Sequence, residues 1–226
     1  MELNGSVTDS FATTLELVHR ATQSTVQTVD GLTDSQWAEP SVLPDWTRAH
    51  VIAHLTNHAL GTARAIHGLR NRHPEPIYAS NEARDLGIDH LAARPVAEIR
   101  ERFLASVTDV YDSLRHLTPD LRSQTVQRTP GGQVIAGEEL VLMRWREVEI
   151  HHADLDAGFT HRDWSPEFVD YFLPIVQWDR SEEVDLSLVH GAPASMAWWL
   201  AGRGDGEGIL GQVPSLGPWT RRTPAK

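Results

Sequence analysis

The sequence "REVEIHHADLD", from Arg146 to Asp156, places Glu147 and His151 one helical turn apart. At about 100° per residue, the two side chains lie within roughly 40° of each other on a helix. Apolar residues that should face a protein interior, Val148 among them, share this arc. Burying a carboxylate and an imidazole is costly unless they are paired or bind a metal. The segment therefore contains either a buried ion pair or part of a metal site.

Two interpretations of this helix face stay open at the level of the sequence. Arg144 lies on the same arc, and an ion pair between Arg144 and Glu147 is the simpler explanation. By the same geometry, Glu149 points away and is expected in solvent. His152 faces about 100° away from His151 and is expected to be structural.

A second helix, "RAHVIAHLTNHA", contains His50, His54 and His58 at successive four-residue intervals. His54 and His58 are expected at the edge of the buried face, and His50 further out at the surface. Two histidines four residues apart can chelate one ion, so His54 with either neighbour is a possible pair. One histidine from this helix with Glu147 and His151 would complete a three-ligand set, which helix bundles build from inward-facing side chains. Two histidines and one glutamate leave coordination positions open, as in catalytic zinc sites.

The pattern of apolar residues predicts a mainly α protein. Helices are expected over residues 8–29, 47–72, 80–92, 95–117 and 137–157, with a small hairpin or a loop at "TVQRTPGGQVIA". Beyond residue 160, we expect a helix over 165–180, a strand at "VDLSLVHG" and a short helix at "ASMAWWLAGR". The prediction is a four-helix bundle over residues 1–160 with a small C-terminal α/β domain, residues 161–226, packed on it.

The composition excludes several classes of function. A net charge of −11 argues against non-specific nucleic-acid binding. The chain contains no apolar run of membrane-spanning length, and "MELNGSVTDS" does not resemble a signal peptide, so a cytoplasmic protein is expected. Because cysteine is absent, any thiol chemistry must use a thiol from outside the chain. All basic residues except Lys226 are arginine, which is typical of a GC-rich bacterium and makes an actinobacterial origin plausible.

Two motifs resemble the mycothiol-dependent maleylpyruvate isomerases, within the DinB-like superfamily of four-helix metalloproteins. They are "LPDWTRAHVIAHL" and "RWREVEIHHADLDAG". The resemblance implies that His54, Glu147 and His151 bind zinc or another divalent metal. A third segment, "MAWWLAGRGDG", is similar to the family's C-terminal domain and places Arg203 where an arginine important to the isomerase lies. The chain before this segment is shorter than the family pattern, so a shortened α/β segment is expected.

The family activity implied is conversion of maleylpyruvate to fumarylpyruvate with mycothiol, by thiolate addition, bond rotation and elimination. Arg203 and Arg144 are the candidate catalytic cations for a dicarboxylate substrate, because guanidinium groups suit carboxylates. Arg203 is favoured, since Arg144 is expected to pair with Glu147. Asp154 either orients the His151 imidazole by a hydrogen bond or is an exposed acid near the helix end.

Two alternatives remain. One is a metal-dependent mycothiol S-transferase, which would consume the thiol. The other is a non-enzymatic metal-binding bundle with a stress or regulatory role. The expected partners are a small dicarboxylate and a low-molecular-weight thiol, with no nucleic acid or membrane, in a monomer or small homo-oligomer. Four tryptophans are expected to pack rather than to bind ligand: Trp46, Trp145, Trp198 and Trp199.

Overall fold

The computed structural model describes residues 4–222, with side chains from residue 11 onward. Residues 1–3, part of the N-terminal segment that does not resemble a signal peptide, lie outside the described residues. So do residues 223–226, the end of the predicted C-terminal domain. The backbone is mainly helical, as predicted. The helices are α1 (Asn4–Gly31), α2 (Arg48–Arg70), α3 (Asn81–Ala92), α4 (Val96–Arg115), α5 (Pro119–Arg122), α6 (Glu139–Asp154), α7 (Pro166–Asp179) and α8 (Pro193–Leu200). Short 3-10 helices lie at Asp34–Ala38, His161–Asp163 and Leu186–Leu188.

Two antiparallel strand pairs accompany the helices. Strand β1 (Thr125–Gln127) pairs with β2 (Val134–Ala136), which confirms the predicted hairpin. Strand β3 (Val189–His190) pairs with β4 (Leu210–Gly211). The chain forms two compact units, Met1–Ala157 and Gly158–Lys226. The domain division proposed from the sequence, at residue 160, stays a prediction.

The first unit is a bundle of α1, α2, α4 and α6. Helix α2 packs on α3, α4 and α6, and α1 packs on α4 and α6. Val51, Ile52 and Leu55 of α2 are fully buried, together with Trp37 and Phe103. Each such side chain stabilises the fold by about 1.5–3 kcal/mol relative to exposure. Because α2 is enclosed by its neighbours, His54 and His58 are brought into the interior.

A close backbone approach fixes the start of α3 beside α2. A Cβ atom at Gly61 would lie 2.5 Å from the carbonyl oxygen of Ile77, so only glycine permits this contact. The amide of Ile77 also donates to the carbonyl oxygen of Gln127 in β1, at 3.0 Å. Helix α3 then begins after Ser80, whose hydroxyl accepts from the amide of Ala83 at 3.0 Å. The first turn of α3 is thereby positioned against the middle of α2.

The second unit packs α7 against α8. Phe168, Phe172 and Val176 of α7 are fully buried, as is Leu200 of α8. The strand predicted at "VDLSLVHG" is wrong over most of its length. The side chain of Asp185 accepts the amide of Ser187 at 3.0 Å and caps a 3-10 turn, so only Val189–His190 is left for the strand.

No helix among residues 4–222 is both long enough and apolar enough to cross a membrane.

Candidate metal centre

The bundle brings together the three predicted ligands. His54 Nε2 lies 2.8 Å from Glu147 Oε2, and His151 Nε2 lies 3.4 Å from the same oxygen. One ligand atom from each residue falls within 4.8 Å of the others. Helix α6 supplies Glu147 and His151 on one face because they are four residues apart, while α2 supplies His54 from across the bundle. The sequence could indicate His54 on one helix and Glu147 with His151 on another, but it could not show that they lie together.

The donor set fits a divalent metal ion. Zinc binds histidine nitrogen and carboxylate oxygen at about 2.0–2.2 Å, so ligand atoms around one ion lie about 3–3.5 Å apart. The two measured separations, 2.8 and 3.4 Å, are close to that spacing. The ring centroids of His54 and His151 are 4.5 Å apart and the rings are nearly perpendicular. Little rearrangement would be needed for His54, Glu147 and His151 to hold an ion.

Asp154 is in contact with one of these ligands. Its Oδ2 lies 2.8 Å from Nδ1 of His151, and the residue is 0% exposed, so the exposed-acid interpretation is wrong. A carboxylate accepts, so Nδ1 carries the proton and Nε2 is directed toward Glu147. Burial alone lowers the pKa of His151, but the hydrogen bonds to Asp154 and Glu147 outweigh burial and raise it.

The charge of Glu147 is stabilised by the histidines around it. Burial alone would raise its pKa, but electrostatic interaction with His58 and hydrogen bonds with His151 and His54 hold the pKa of Glu147 well below its usual value. Burial, with a further contribution from His151, lowers the pKa of His54 to about 4. The site therefore contains an ionised carboxylate beside a neutral His54 imidazole at neutral pH.

Arg144 occupies a different place from the predicted one. It is 1% exposed, and its NH1 donates to the carbonyl oxygen of Leu55 at 3.1 Å and contacts Nδ1 of His58 at 3.4 Å. Within the described chain, the ion pairs of Glu147 are with histidines, so the predicted pairing with Arg144 is wrong. Burial lowers the pKa of Arg144 to about 10, so it remains a cation.

The other two histidines of α2 differ in their contacts. His50 Nδ1 accepts from the amide of Thr47 at 3.2 Å and therefore takes part in capping α2. Because a guanidinium only donates, Nδ1 of His58 accepts from Arg144 and its Nε2 carries the proton. That Nε2 lies 3.9 Å from Oε1 of Glu147, whereas His54 contacts Oε2.

The sequence over residues 18–156 matches the family described as the mycothiol maleylpyruvate isomerase N-terminal domain. This span is more than half of the chain and includes the whole His54, Glu147 and His151 cluster. The chain belongs to this family. The match therefore confirms the resemblance seen in the two helix motifs.

Solved structures extend the likeness to nearly the whole chain. A crystal structure of the mycothiol-dependent maleylpyruvate isomerase has a TM-score of 0.83 and 26% identity, covering 92% of this chain and 97% of that chain. A histidine-to-alanine mutant of that isomerase has the same TM-score and coverage at 25% identity. None of the curated proteins compared with the chain matches it. The family match and both solved relatives refer to an enzyme.

Within the family fold, Arg203 belongs to the second unit. Its NH1 donates to the carbonyl oxygen of Ala201 at 2.8 Å. Together with His161 and Trp198, it lines a small polar cavity of about 90 Å³. Trp198 stacks on His161 with ring centroids 5.2 Å apart. A role for Arg203 in binding the substrate stays a prediction.

The tryptophans differ in exposure. Trp145 and Trp199 are buried, at 3% and 1% exposure, as expected for packing. Trp46 is half-buried, and its ring centroid lies 5.7 Å from that of His54. The packing expectation is therefore met by the two buried tryptophans, while Trp46 also contacts a candidate ligand.

Sequence analysis missed two residues beside the candidate ligands. Arg84, in the first turn of α3, has its NH2 group 3.4 Å from Nδ1 of His54. Tyr78 lies just before α3; burial and the negative charge of Glu147 raise its pKa, so it stays neutral. The N-cap signal at Ser80 could have placed Arg84 in a first turn. No local pattern could show that this turn faces α2.

Glu149 contradicts its predicted place in solvent. It is 6% exposed, Nε1 of Trp145 donates to its Oε1 at 3.3 Å, and burial raises its pKa to about 7. Helical periodicity predicted that this side of α6 faces solvent. A bundle helix with neighbours on several sides, however, buries more than one face.

We expect Glu149→Gln to stabilise the metal-free protein above neutral pH. The pKa of Glu149 is raised on folding, so wild-type stability is fully present below the unfolded pKa and falls as pH rises toward 7. The free energy of unfolding of Glu149→Gln relative to wild type should rise by about 2–4 kcal/mol between pH 4.5 and 8. Urea unfolding at several pH values measures this. Exposed Glu101→Gln should show no such change, and a flat difference for Glu149→Gln would contradict the prediction.

Proposed function

We propose that this protein is a metal- and mycothiol-dependent isomerase that converts maleylpyruvate to fumarylpyruvate. One observation carries the proposal: His54, Glu147 and His151 meet on facing helices, within the span that matches the isomerase family. The solved relatives are described as mycothiol-dependent maleylpyruvate isomerases, which supports the same reaction here.

The chemistry requires a nucleophile that the chain lacks. Cis–trans isomerisation needs temporary loss of double-bond character, and this chain contains no cysteine thiol to add to the alkene. A bound divalent metal would keep the mycothiol thiol deprotonated near neutral pH, and the thiolate can add to the alkene and leave again after rotation. The same thiol is regenerated, so it acts catalytically.

The residues of the chain have separate tasks in this proposal. His54, Glu147 and His151 would hold the ion, and three protein ligands leave a position for the thiol sulfur. Asp154 fixes the ring of His151 by a 2.8 Å hydrogen bond, which keeps Nε2 directed at the site. The metal with the single carboxylate of Glu147 has a net charge of about +1, and buried Arg144 adds another positive charge nearby. This positive field favours an anionic thiolate and an anionic substrate.

The stoichiometry of the thiol tests the proposal. Metal-loaded protein should convert maleylpyruvate only when mycothiol is present, and the free thiol concentration should stay constant over many turnovers. The product is followed by its absorbance and the thiol by a thiol-specific reagent. Loss of one thiol per substrate consumed would show an S-transferase instead. Metal binding with no turnover of maleylpyruvate at any mycothiol concentration would also refute the isomerase.

A further inference from the structure

A cavity of about 120 Å³ lies among helices α1, α4 and α6 of the bundle. Its described lining comes from α1 and α4, except for Arg144 of α6. The candidate metal ligands His54, Glu147 and His151 are not among these lining residues. The cavity is therefore distinct from the candidate metal centre.

The entrance of this cavity is polar and its walls are mostly apolar. Gln23 of α1 and Thr108 of α4 are exposed, so the cavity opens to solvent between these two helices. His19 and Tyr111 are half-buried beside them, and their rings stack with centroids 4.4 Å apart. The buried apolar side chains of the walls are Val18, Val107, Val110 and Leu114. Apolar walls with a few polar groups are typical of sites that bind small organic molecules.

Arg144 is the buried charge of this cavity. It is 1% exposed, and its pKa of about 10 keeps it positively charged. Its NH1 contacts Leu55 and His58, and neither of these partners is an anion. Within the described residues its Nε is buried without a hydrogen-bond partner, and Glu147 acts on its charge without forming an ion pair. Burying a cation in this way is costly unless a close anion compensates for it.

We propose that the cavity binds a short-chain monocarboxylate such as butyrate, with the carboxylate against Arg144 and the hydrocarbon chain along the apolar walls. The carboxylate would supply the anion that the buried guanidinium lacks, through charge-assisted hydrogen bonds. The volume limits the ligand: an apolar protein cavity of about 150 Å³ accommodates benzene, which has as many non-hydrogen atoms as butyrate. The proposal does not depend on the isomerase assignment.

Methyl-group NMR titrations of the full chain, with and without added zinc, test the site. Butyrate should shift the methyl signals of Val18, Val107 and Leu114 under both conditions, with a Kd on the order of 1 mM. Butyramide has the same shape but no charge, so it should bind at least about ten-fold more weakly. Equal affinities for butyrate and butyramide, or the same shifts with chloride, would overturn the proposal. So would shifts that require zinc and are confined to the surroundings of His54 and Glu147, because butyrate would then be bound to the metal.

Two variants test the apolar wall and the charge separately. Val107→Phe places a ring in the cavity and should weaken butyrate binding at least about ten-fold, whereas Val134→Phe, at an exposed valine of β2, should leave it unchanged. Arg144→Met removes the charge and should abolish the preference for butyrate over butyramide. Circular dichroism identifies a variant that does not fold, and the comparison of the two ligands in wild type needs neither variant. Wild-type butyrate affinity in folded Val107→Phe or folded Arg144→Met would refute the site.

Discussion

Replacing Glu147 by glutamine is expected to remove metal binding and turnover together. Its Oε2 is the common partner of His54 and His151, at 2.8 and 3.4 Å, so its loss takes away the anionic donor that both histidines contact. Removing a partner of a ligand costs about 10–100-fold in metal affinity, and removing a ligand itself should cost more than 100-fold. Turnover of maleylpyruvate with mycothiol should fall to background.

Metal content after desalting and initial rates with added zinc measure this effect. Glu101→Gln removes an exposed carboxylate on α4 and should behave as wild type. Circular dichroism separates loss of metal from loss of fold. If folded Glu147→Gln retained wild-type metal content and turnover, the metal site would not be the cluster described above.

The second large effect is expected for Asp154→Asn. The buried carboxylate of Asp154 accepts the Nδ1 proton of His151 at 2.8 Å, and a neutral amide holds that proton less strongly. We expect metal affinity to fall by about 10–100-fold while the three ligands stay in place. Turnover should recover in part when excess metal is added, because the weakened site can still be filled.

Asp156→Asn is the matched control, since it removes the same charge two residues further along the chain. Asp156 is exposed and has a positive φ of 50°, a conformation that asparagine adopts readily. Chelator competition compares the two variants. Equal metal affinities for Asp154→Asn and Asp156→Asn would show that the hydrogen bond to His151 does not support the metal site.

Much of the fold could be predicted because helices are local. The period of apolar residues placed α2 and α6 within a few residues of their observed bounds, and the Pro-Gly-Gly turn predicted the β1–β2 hairpin. The strand at "VDLSLVHG" was wrong because Asp185 forms a local turn that competes with extended structure. Sequence patterns therefore predict elements well when the hydrogen bonds form within a few residues. They fail where a side chain hydrogen-bonds the backbone and stabilises a turn instead of a strand.

Only part of the candidate metal site could be predicted from the sequence. Spacing placed Glu147 and His151 on one face, and their residue types indicated a metal. Helical spacing alone predicted wrongly that Arg144 pairs with Glu147 and that Glu149 lies in solvent. Both depend on which residues pack against α6. The pairing of His54 with Glu147 joins residues 93 positions apart, so it depends on chain folding and not on helical period.

The sequence by itself determined the helices, the residue types available as ligands and the absence of a thiol nucleophile. Only the tertiary structure decided that His54 meets Glu147, that Asp154 contacts His151 and Arg84 contacts His54, and that Arg144 contacts His58. The reason is physical. Helical periodicity fixes directions around one axis, whereas the donors and acceptors around a buried imidazole come from other helices, and packing alone brings those helices together.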